Sequence, residues 1–415
     1  MLILAAGFLI AFAVVAVWFG IRWQLGDMFS EVTSPSDPQA VEIAQAAISY
    51  APLNPRGYWL LGAALKGSFD DASLQRSIYQ YEAAARVAPY RYTSWTELGR
   101  VNELAGRYKE AEESFLRAIE VAPEYTVPRW QIGNFYLRRG QEDEAIRELR
   151  SAAIHSSPYK VQVFSLAWNV FGNDPQRVEQ FLTEDDDSKA TLAYFYGIVN
   201  RPADALRIWN TIDADSRARF EWQVKALARD LYAHRSYRGA LEFSRLAGTD
   251  PDARPEVITN HDFESPVRSS DLIRFDWRVN RSNGKAQVAM DADTAHEGKR
   301  SLKVTLRSYT PSAFNLLSQN IAVQPRNRYR LSFWLRTEEL RSGGMPMIEV
   351  RNAVDDSLNS VTASFPTGTN PWQRLDVEFE APTDGVYLTT AREPCSEECP
   401  ITGIFWLDSF DLTRL

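Results

Sequence analysis

The sequence predicts a multidomain protein: an all-α solenoid of helical repeats, then an all-β sandwich, with one transmembrane helix ahead of both. Three observations predict this. Residues 1–21 carry no charged side chain, small residues and prolines recur about every 34 positions through the first half, and alternating apolar and polar runs between Gly, Pro, Asn and Asp turns fill the chain after Pro251. The expected boundaries are an anchor over 1–22, a linker over 23–37, repeats over 38–250 and a sandwich over 256–415. At 415 residues the chain exceeds one ordinary domain.

The anchor follows from length. In a helix, at ~1.5 Å per residue, residues 1–21 cross a ~30 Å hydrocarbon core. A cleavable signal needs a small-residue exit site, but Arg22, Trp23, Gln24 and Leu25 follow, so an uncleaved span is expected, with Trp18 and Trp23 in the interfacial belt. The terminal amine and Arg22 oppose each other under the positive-inside rule, so orientation must be read from elsewhere. Ser34, Pro35, Ser36 and Pro38 mark a short stalk over 26–38.

The repeat is clearest in WTELGRVNELAGRYKEAEESFLRAIEVAP, residues 95–123. Small residues at Gly99, Ala111 and Ala118 let two antiparallel helices approach, while Trp95, Leu98, Tyr108 and Phe115 fill the space between them and the next pair. With Gly106 and Pro123, these positions resemble a tetratricopeptide repeat. Tyr58, Leu61, Gly62, Tyr81, Ala84 and Pro89 give the preceding copy, and Ile132, Gly133, Tyr136, Gly140, Ala145, Leu149, Ala152 and Pro158 the following one. Ala40, Ala44, Ala47 and Pro52 read as the second helix of a fragment. Between 159 and 250 the period persists as two degenerate pairs with Ala205 and Ala240 at the small-residue sites, which reads as one diverging solenoid. The resemblance implies that Trp59 and Trp130 point into the concave groove. With Arg100, Glu103, Asn134 and Arg138 they would hold a peptide or protein segment, unless the next helix covers them.

In the second half, YRLSFWLRT (329–337) sets Tyr329, Leu331, Phe333 and Leu335 on one face and Arg330, Ser332, Trp334 and Arg336 on the other. WQRLDVEFEAP repeats the alternation with Leu375, Val377 and Phe379 inward. About nine such strands make an antiparallel sandwich. NHDFE (260–264), AHEGKRSLKV (295–304), YRLSFWLR, FEAPTDGVYL (379–388) and FWLDSFDLTRL resemble a jelly-roll, galactose-binding-like carbohydrate-binding module of families four, nine and twenty-two. The resemblance implies a structural calcium held by Glu264, Asp408 and the main-chain carbonyl of His296; Ser409 stands where many relatives place a second Asp. The alternative is that both carboxylates simply cap turns.

Sugar recognition needs an aromatic face and fork-like donors beside carboxylates. Trp334 and Arg336, with Glu349 and Arg351 from the next strand and Trp277, Tyr309 and Trp372 at the rim, are the candidates, unless a loop or the repeats cover that face. Cys395 and Cys399, the only cysteines, suit a loop-closing disulfide better than a zinc site, because no His neighbours them. A disulfide implies an oxidising compartment.

A net charge of −8 without a Lys/Arg cluster excludes a nucleic-acid footprint. His155, His234, His261 and His296 have no zinc spacing, nucleophile elbow or phosphate loop around them, and Glu184–Asp187 reads as a solvated helix start, so no enzyme is expected. The expected protein is an adaptor in the bacterial inner membrane with its body outside the cytoplasm. It would bind a protein through the repeats and a glycan through the sandwich, in envelope polysaccharide assembly or export. A protein scaffold without sugar binding is the rival reading.

Overall fold

A computed structural model describes residues 2–68, 70–154, 157–267, 274–280, 285–309, 314–395 and 399–415, with the side chains of 2–8, 157, 158 and 309 excepted. His155 and the Tyr309 side chain thus lie outside the described residues. The chain divides into two compact units, Met1–Thr183 and Glu184–Leu415. The change of composition at Pro251 therefore marks a change of secondary structure inside the second unit.

The first unit opens with α1 (Leu2–Val32), followed by α2 (Ala40–Tyr50), α3 (Pro55–Lys66), α4 (Asp71–Val87), α5 (Tyr92–Leu104), α6 (Tyr108–Val121), α7 (Thr126–Arg138), α8 (Glu142–Ile154), α9 (Ser157–Val170) and α10 (Pro175–Glu179). The pairs cross where a side chain is missing. A Cβ on Gly62 would stand 3.0 Å from the Tyr81 ring, on Gly99 2.7 Å from Phe115, and on Gly133 2.6 Å from Leu149. Phe115, Ile132, Phe135, Tyr136 and Ala145 then form one buried cluster between neighbouring pairs. Caps fix the helix starts: Asn54 accepts from Arg56 N at 3.0 Å and Asp70 from Ser73 N at 2.9 Å.

The stretch expected as a linker is corrected here. Helix α1 does not stop at the end of the apolar run but continues to Val32, and its last residues are packed. Gly26 lies against Ala47 and Ala51, where a Cβ on it would stand 2.6 Å from the Cβ of Ala51, and Ser30 is buried. Asp27 accepts from Asn54 Nδ2 at 2.8 Å and pairs with Arg56 at 3.0 Å. The fragmentary first repeat is therefore completed by the end of α1, with Gly26 in the role of Gly62 and Gly99.

The second unit begins with α11 (Asp186–Ile198), α12 (Pro202–Trp209), a 3-10 helix (Ala214–Phe220), α13 (Glu221–Ala233) and α14 (Tyr237–Leu246). Asp185 caps α11 by accepting from Ser188 N at 2.8 Å, so the acidic run is a helix start. Ala205 and Ala240 are fully buried at the predicted crossings.

Ten strands follow among the described residues: β1 (Arg278–Val279), β2 (Ala286–Asp291), β3 (Ser301–Tyr309), β4 (Leu317–Ala322), β5 (Arg328–Ser342), β6 (Pro346–Asn352), β7 (Leu358–Val361), β8 (Gly368–Glu380), β9 (Gly385–Arg392) and β10 (Ile401–Arg414). They form two antiparallel sheets, β1-β4-β9-β6-β7 and β2-β3-β10-β5-β8. Tyr329, Leu331, Phe333 and Leu335 are fully buried between them, as the alternation predicts.

The hairpin of α13 and α14 packs on the first sheet. Tyr237 covers Gly385, where any side chain would enter its ring, and its hydroxyl donates to Ala353 O at 2.7 Å. Arg238 N donates to Asp384 Oδ2 at 3.1 Å, and Asn320 Nδ2 to the Tyr232 hydroxyl at 2.6 Å. Asp250 accepts from Phe275 N at 2.9 Å and Arg274 N at 3.0 Å, tying the incoming loop down.

Gly99→Leu should overpack the α5–α6 crossing and cost about 1–3 kcal/mol. Urea denaturation with probes in each unit should show the loss in residues 2–183 and leave 184–415 unchanged; an unchanged first-unit midpoint would show the crossing misassigned.

Candidate functional site: the outer faces of the sandwich

Strand register decides what meets on each outer face. In the first sheet Thr389 pairs with Ser318 and Glu349, and Tyr387 with Asn320 and Arg351. Because Val386, Leu388, Ile348 and Val350 fill the core, Gly385, Tyr387, Thr389, Glu349 and Arg351 must point outward. Phe314, Asn315, Glu349, Arg351, Asp356, Tyr387 and Arg392 line a groove of about 290 Å³ there. Arg351 Nε donates to Glu349 Oε2 at 2.7 Å, and chiefly through that bond its pKa lies above the ordinary arginine value. Asn315 Nδ2 donates to the Tyr387 hydroxyl at 3.0 Å while its Oδ1 accepts from Thr389 at 2.9 Å. The result is a half-exposed phenol ring beside a paired guanidinium and carboxylate, with side-chain amide dipoles already oriented. Toward Gly385 the face is closed by the α13–α14 hairpin.

The sequence placed Glu349 and Arg351 beside Trp334 and Arg336. The structure separates them, because β6 belongs to the first sheet and β5 to the second. On the second sheet Trp334 is not an open platform: the His296 ring stacks on it at 3.9 Å and 16°, and Trp372 meets the same imidazole edge-on at 5.7 Å. Arg336 lies over Trp406, 5.4 Å from the ring centre, with Lys303 at 5.1 Å. The Trp406 indole donates to Asp291 Oδ2 at 2.6 Å. Trp277, expected at the rim, is 2% exposed in the core, 4.9 Å from the Phe410 ring, and its indole N–H donates to Asn260 O at 3.2 Å.

The proposed calcium ligands do converge, but onto N–H groups. Glu264 Oε1 accepts from Lys299 N at 2.5 Å and Arg300 N at 2.9 Å. Asp408 accepts from His296 N at 2.7 Å, Glu297 N at 3.3 Å and Ser409 N at 2.7 Å. His296 thus presents its amide, not its carbonyl, to Asp408. Calcium takes six to eight oxygens, whereas in this arrangement Glu264 Oε1 and both Asp408 oxygens accept backbone N–H groups, so the clasp is held by hydrogen bonds. No group of three His, Cys, Asp or Glu suited to a metal occurs among the described residues. Burial pushes the Asp408 carboxyl above its usual range, against the pull of those amides. Cys395 and Cys399 form a disulfide with Cα atoms 6.0 Å apart.

In the first unit Arg138 forks onto Glu103 at 2.7 and 2.8 Å, and with Arg100, Leu104, Tyr108, Gln131 and Arg139 they line a cavity of about 530 Å³. Trp130 is turned onto Tyr159 at 5.5 Å and Asn134 donates to its carbonyl, so neither enters that cavity. Trp59 is half-buried and packs against the clusters of its own and the adjoining pair.

Residues 92–125 match the tetratricopeptide repeat family, and residues 255–396 match a carbohydrate binding domain family. The chain joins tetratricopeptide repeats to a carbohydrate-binding-module-like sandwich. Among solved structures, MamA is 22% identical over 32% of this chain and 75% of that one, with a TM-score of 0.28. The CBM22-1 xylan-binding domain of Paenibacillus barcinonensis Xyn10C is 16% identical over 37% and 91%, with a TM-score of 0.26. TmCBM61 in complex with β-1,4-galactotriose is 19% identical over 39% and 100%, with a TM-score of 0.28. No curated protein matches the sequence. The repeats point to protein interaction and the sandwich to carbohydrate binding, and both are non-catalytic kinds of domain.

Tyr387, Asn315 and Thr389 were missed from sequence. The signal was present: alternation from Gly385 sends Tyr387 outward, but only the β9–β6 pairing puts it beside Arg351.

If the 294–300 loop is held by N–H donors, excess EDTA should leave the melting temperature of the chain unchanged, whereas Asp408→Ala, which orphans those amides, should lower stability by about 2–4 kcal/mol. A drop of several degrees with EDTA, restored by calcium, would contradict the metal-free clasp.

Proposed function

We propose that this chain is a non-enzymatic, membrane-anchored adaptor that holds a protein partner with its repeats and a short glycan in the first-sheet groove. The observation that carries the reading is the outward convergence of Tyr387, the Arg351–Glu349 pair and Asn315, which supplies a ring face, a fork-like donor and acceptors within one hollow. The protein partner would engage the Arg100, Glu103 and Arg138 cavity, where Tyr108 under the Arg139 guanidinium gives an aromatic wall.

Two further observations support a location. The Cys395–Cys399 disulfide favours an oxidising compartment, and the packing of residues 22–32 into the first repeat favours a helix that stays attached. Together they fit a bacterial inner-membrane protein with its body on the extracytoplasmic side. Envelope polysaccharide assembly or export would use a glycan holder tied to a protein-binding solenoid.

A glycan array probed with the full chain, followed by titration of the best oligosaccharide, tests this. Arg351→Ala and Tyr387→Ala should each weaken binding at least about tenfold, near 1.4 kcal/mol, without loss of fold. Trp334→Ala, behind His296, should change affinity little. The reverse pattern would move the site to the second sheet, and a blank array with folded protein would leave the scaffold reading.

A further inference from the structure

Helix α1 leaves the first unit at one particular edge. Each helical pair hands on to the next through turns at 51–54, 88–91 and 122–125, so α2, α4 and α6 end there, and α3, α5 and α7 begin there. Arg22 Nη2 donates to Ser49 O at 2.7 Å and Nε to Tyr50 O at 3.5 Å, the final carbonyls of α2. Gly26 and Asp27 sit one turn further in, against Ala47, Ala51 and Asn54. Everything ahead of Arg22 therefore projects past this edge. That projection is the charge-free run 2–21, which at ~1.5 Å per residue is ~30 Å long.

The same edge carries exposed aromatic and aliphatic side chains beside the charged Arg91 and Glu124 of its turns. Leu53 is 72% exposed, Tyr90 83% and Tyr125 58%, with Tyr50 at 39% and Trp23 at 45% beside Arg22. Leu53 and Tyr90 are the third residues of the same turn, Ala51-Pro52-Leu53 and Ala88-Pro89-Tyr90. One exposed leucine needs no explanation, but this position is apolar in the first two turns, and in the third, where it is Glu124, the next residue is the exposed Tyr125, along the edge from which a bilayer-length helix departs. The opposite edge has Gly106-Arg107 and Gly140-Gln141 at its turn tips.

We propose that this edge of the repeats lies on the membrane itself, with Tyr50, Leu53 and Tyr90, and next along the row Tyr125, in the interfacial layer of the bilayer. Aromatic rings with a polar tip, and an aliphatic side chain on a tight turn, partition into that layer. The anchor delivers them there because its end is packed and not hinged: Asp27 to Arg56 at 3.0 Å and Glu31 to Arg56 at 3.2 Å clamp it to the start of α3. The repeats would then lie along the bilayer surface. This inference rests on α1 being a membrane span.

The test uses the full chain with one added cysteine, Leu53→Cys, Tyr90→Cys or Gln141→Cys, the native pair being disulfide-bonded. Each is labelled with an environment-sensitive fluorophore and reconstituted into phosphatidylcholine–phosphatidylglycerol vesicles containing acyl-chain-brominated lipid. The protein should float with the vesicles after a carbonate wash, and bromine should quench the labels at 53 and 90 on the order of twofold while leaving 141 unchanged. Protein that floats without quenching at 53 and 90, or with equal quenching at 141, overturns the proposal and leaves the span intact. Protein that does not float overturns both.

Discussion

The helical repeats of this protein depend on one recurring contact: two helices come closest where one of them lacks a side chain. Gly26, Gly62, Gly99, Gly133 and Gly197 each stand at such a crossing, and a Cβ at any of them would meet its neighbour at 3.0 Å or less. Around each contact the large residues interlock, as Phe115 does with Phe135 at 5.6 Å. Because Gly26 belongs to the apolar N-terminal helix, the same contact governs how that helix joins the first repeat. The end of that helix is a structural member of the repeat array, and its direction fixes which edge of the repeats it leaves.

In the second unit the sheets obey a different rule, alternation, but the consequence again turns on a missing side chain. Gly385 leaves room for Tyr237, so the α13–α14 hairpin seats on one end of the first sheet, and Asp384, Ala353 and Asn320 complete the joint through hydrogen bonds. The outer face of that sheet is therefore divided into a helix-covered end and an open groove around Tyr387, Arg351 and Glu349. On the other outer face the aromatic rings are covered by neighbouring side chains, with His296 on Trp334 and Arg336 and Lys303 over Trp406.

Fold class was legible because both periods are strong. The spacing around Gly99 and the inward row of Tyr329, Leu331, Phe333 and Leu335 are local signals, and the structure keeps them. Sheet membership is not local. Nothing between residues 329 and 352 says that β5 and β6 part into different sheets, so the sequence alone sets Trp334 and Arg351 on one face. Trp277 misled for a related reason: an aromatic near a loop reads as a rim residue until Phe263 and Phe410 are seen to enclose it. The end of α1 was hidden because an apolar run masks a repeat signature, and Pro35 and Pro38 suggested a stalk that begins only after Val32.

Amide hydrogen exchange on the full chain in lipid nanodiscs, comparing the native protein with Gly26→Leu, tests most directly whether the end of α1 is part of the repeat array. If Gly26 is the first crossing, the substitution should strip protection from α2 and the start of α3 while leaving α5–α8 and the sandwich as they were. Unaltered protection across Ala40–Tyr50 would contradict the account and return residues 22–32 to the role of a tether.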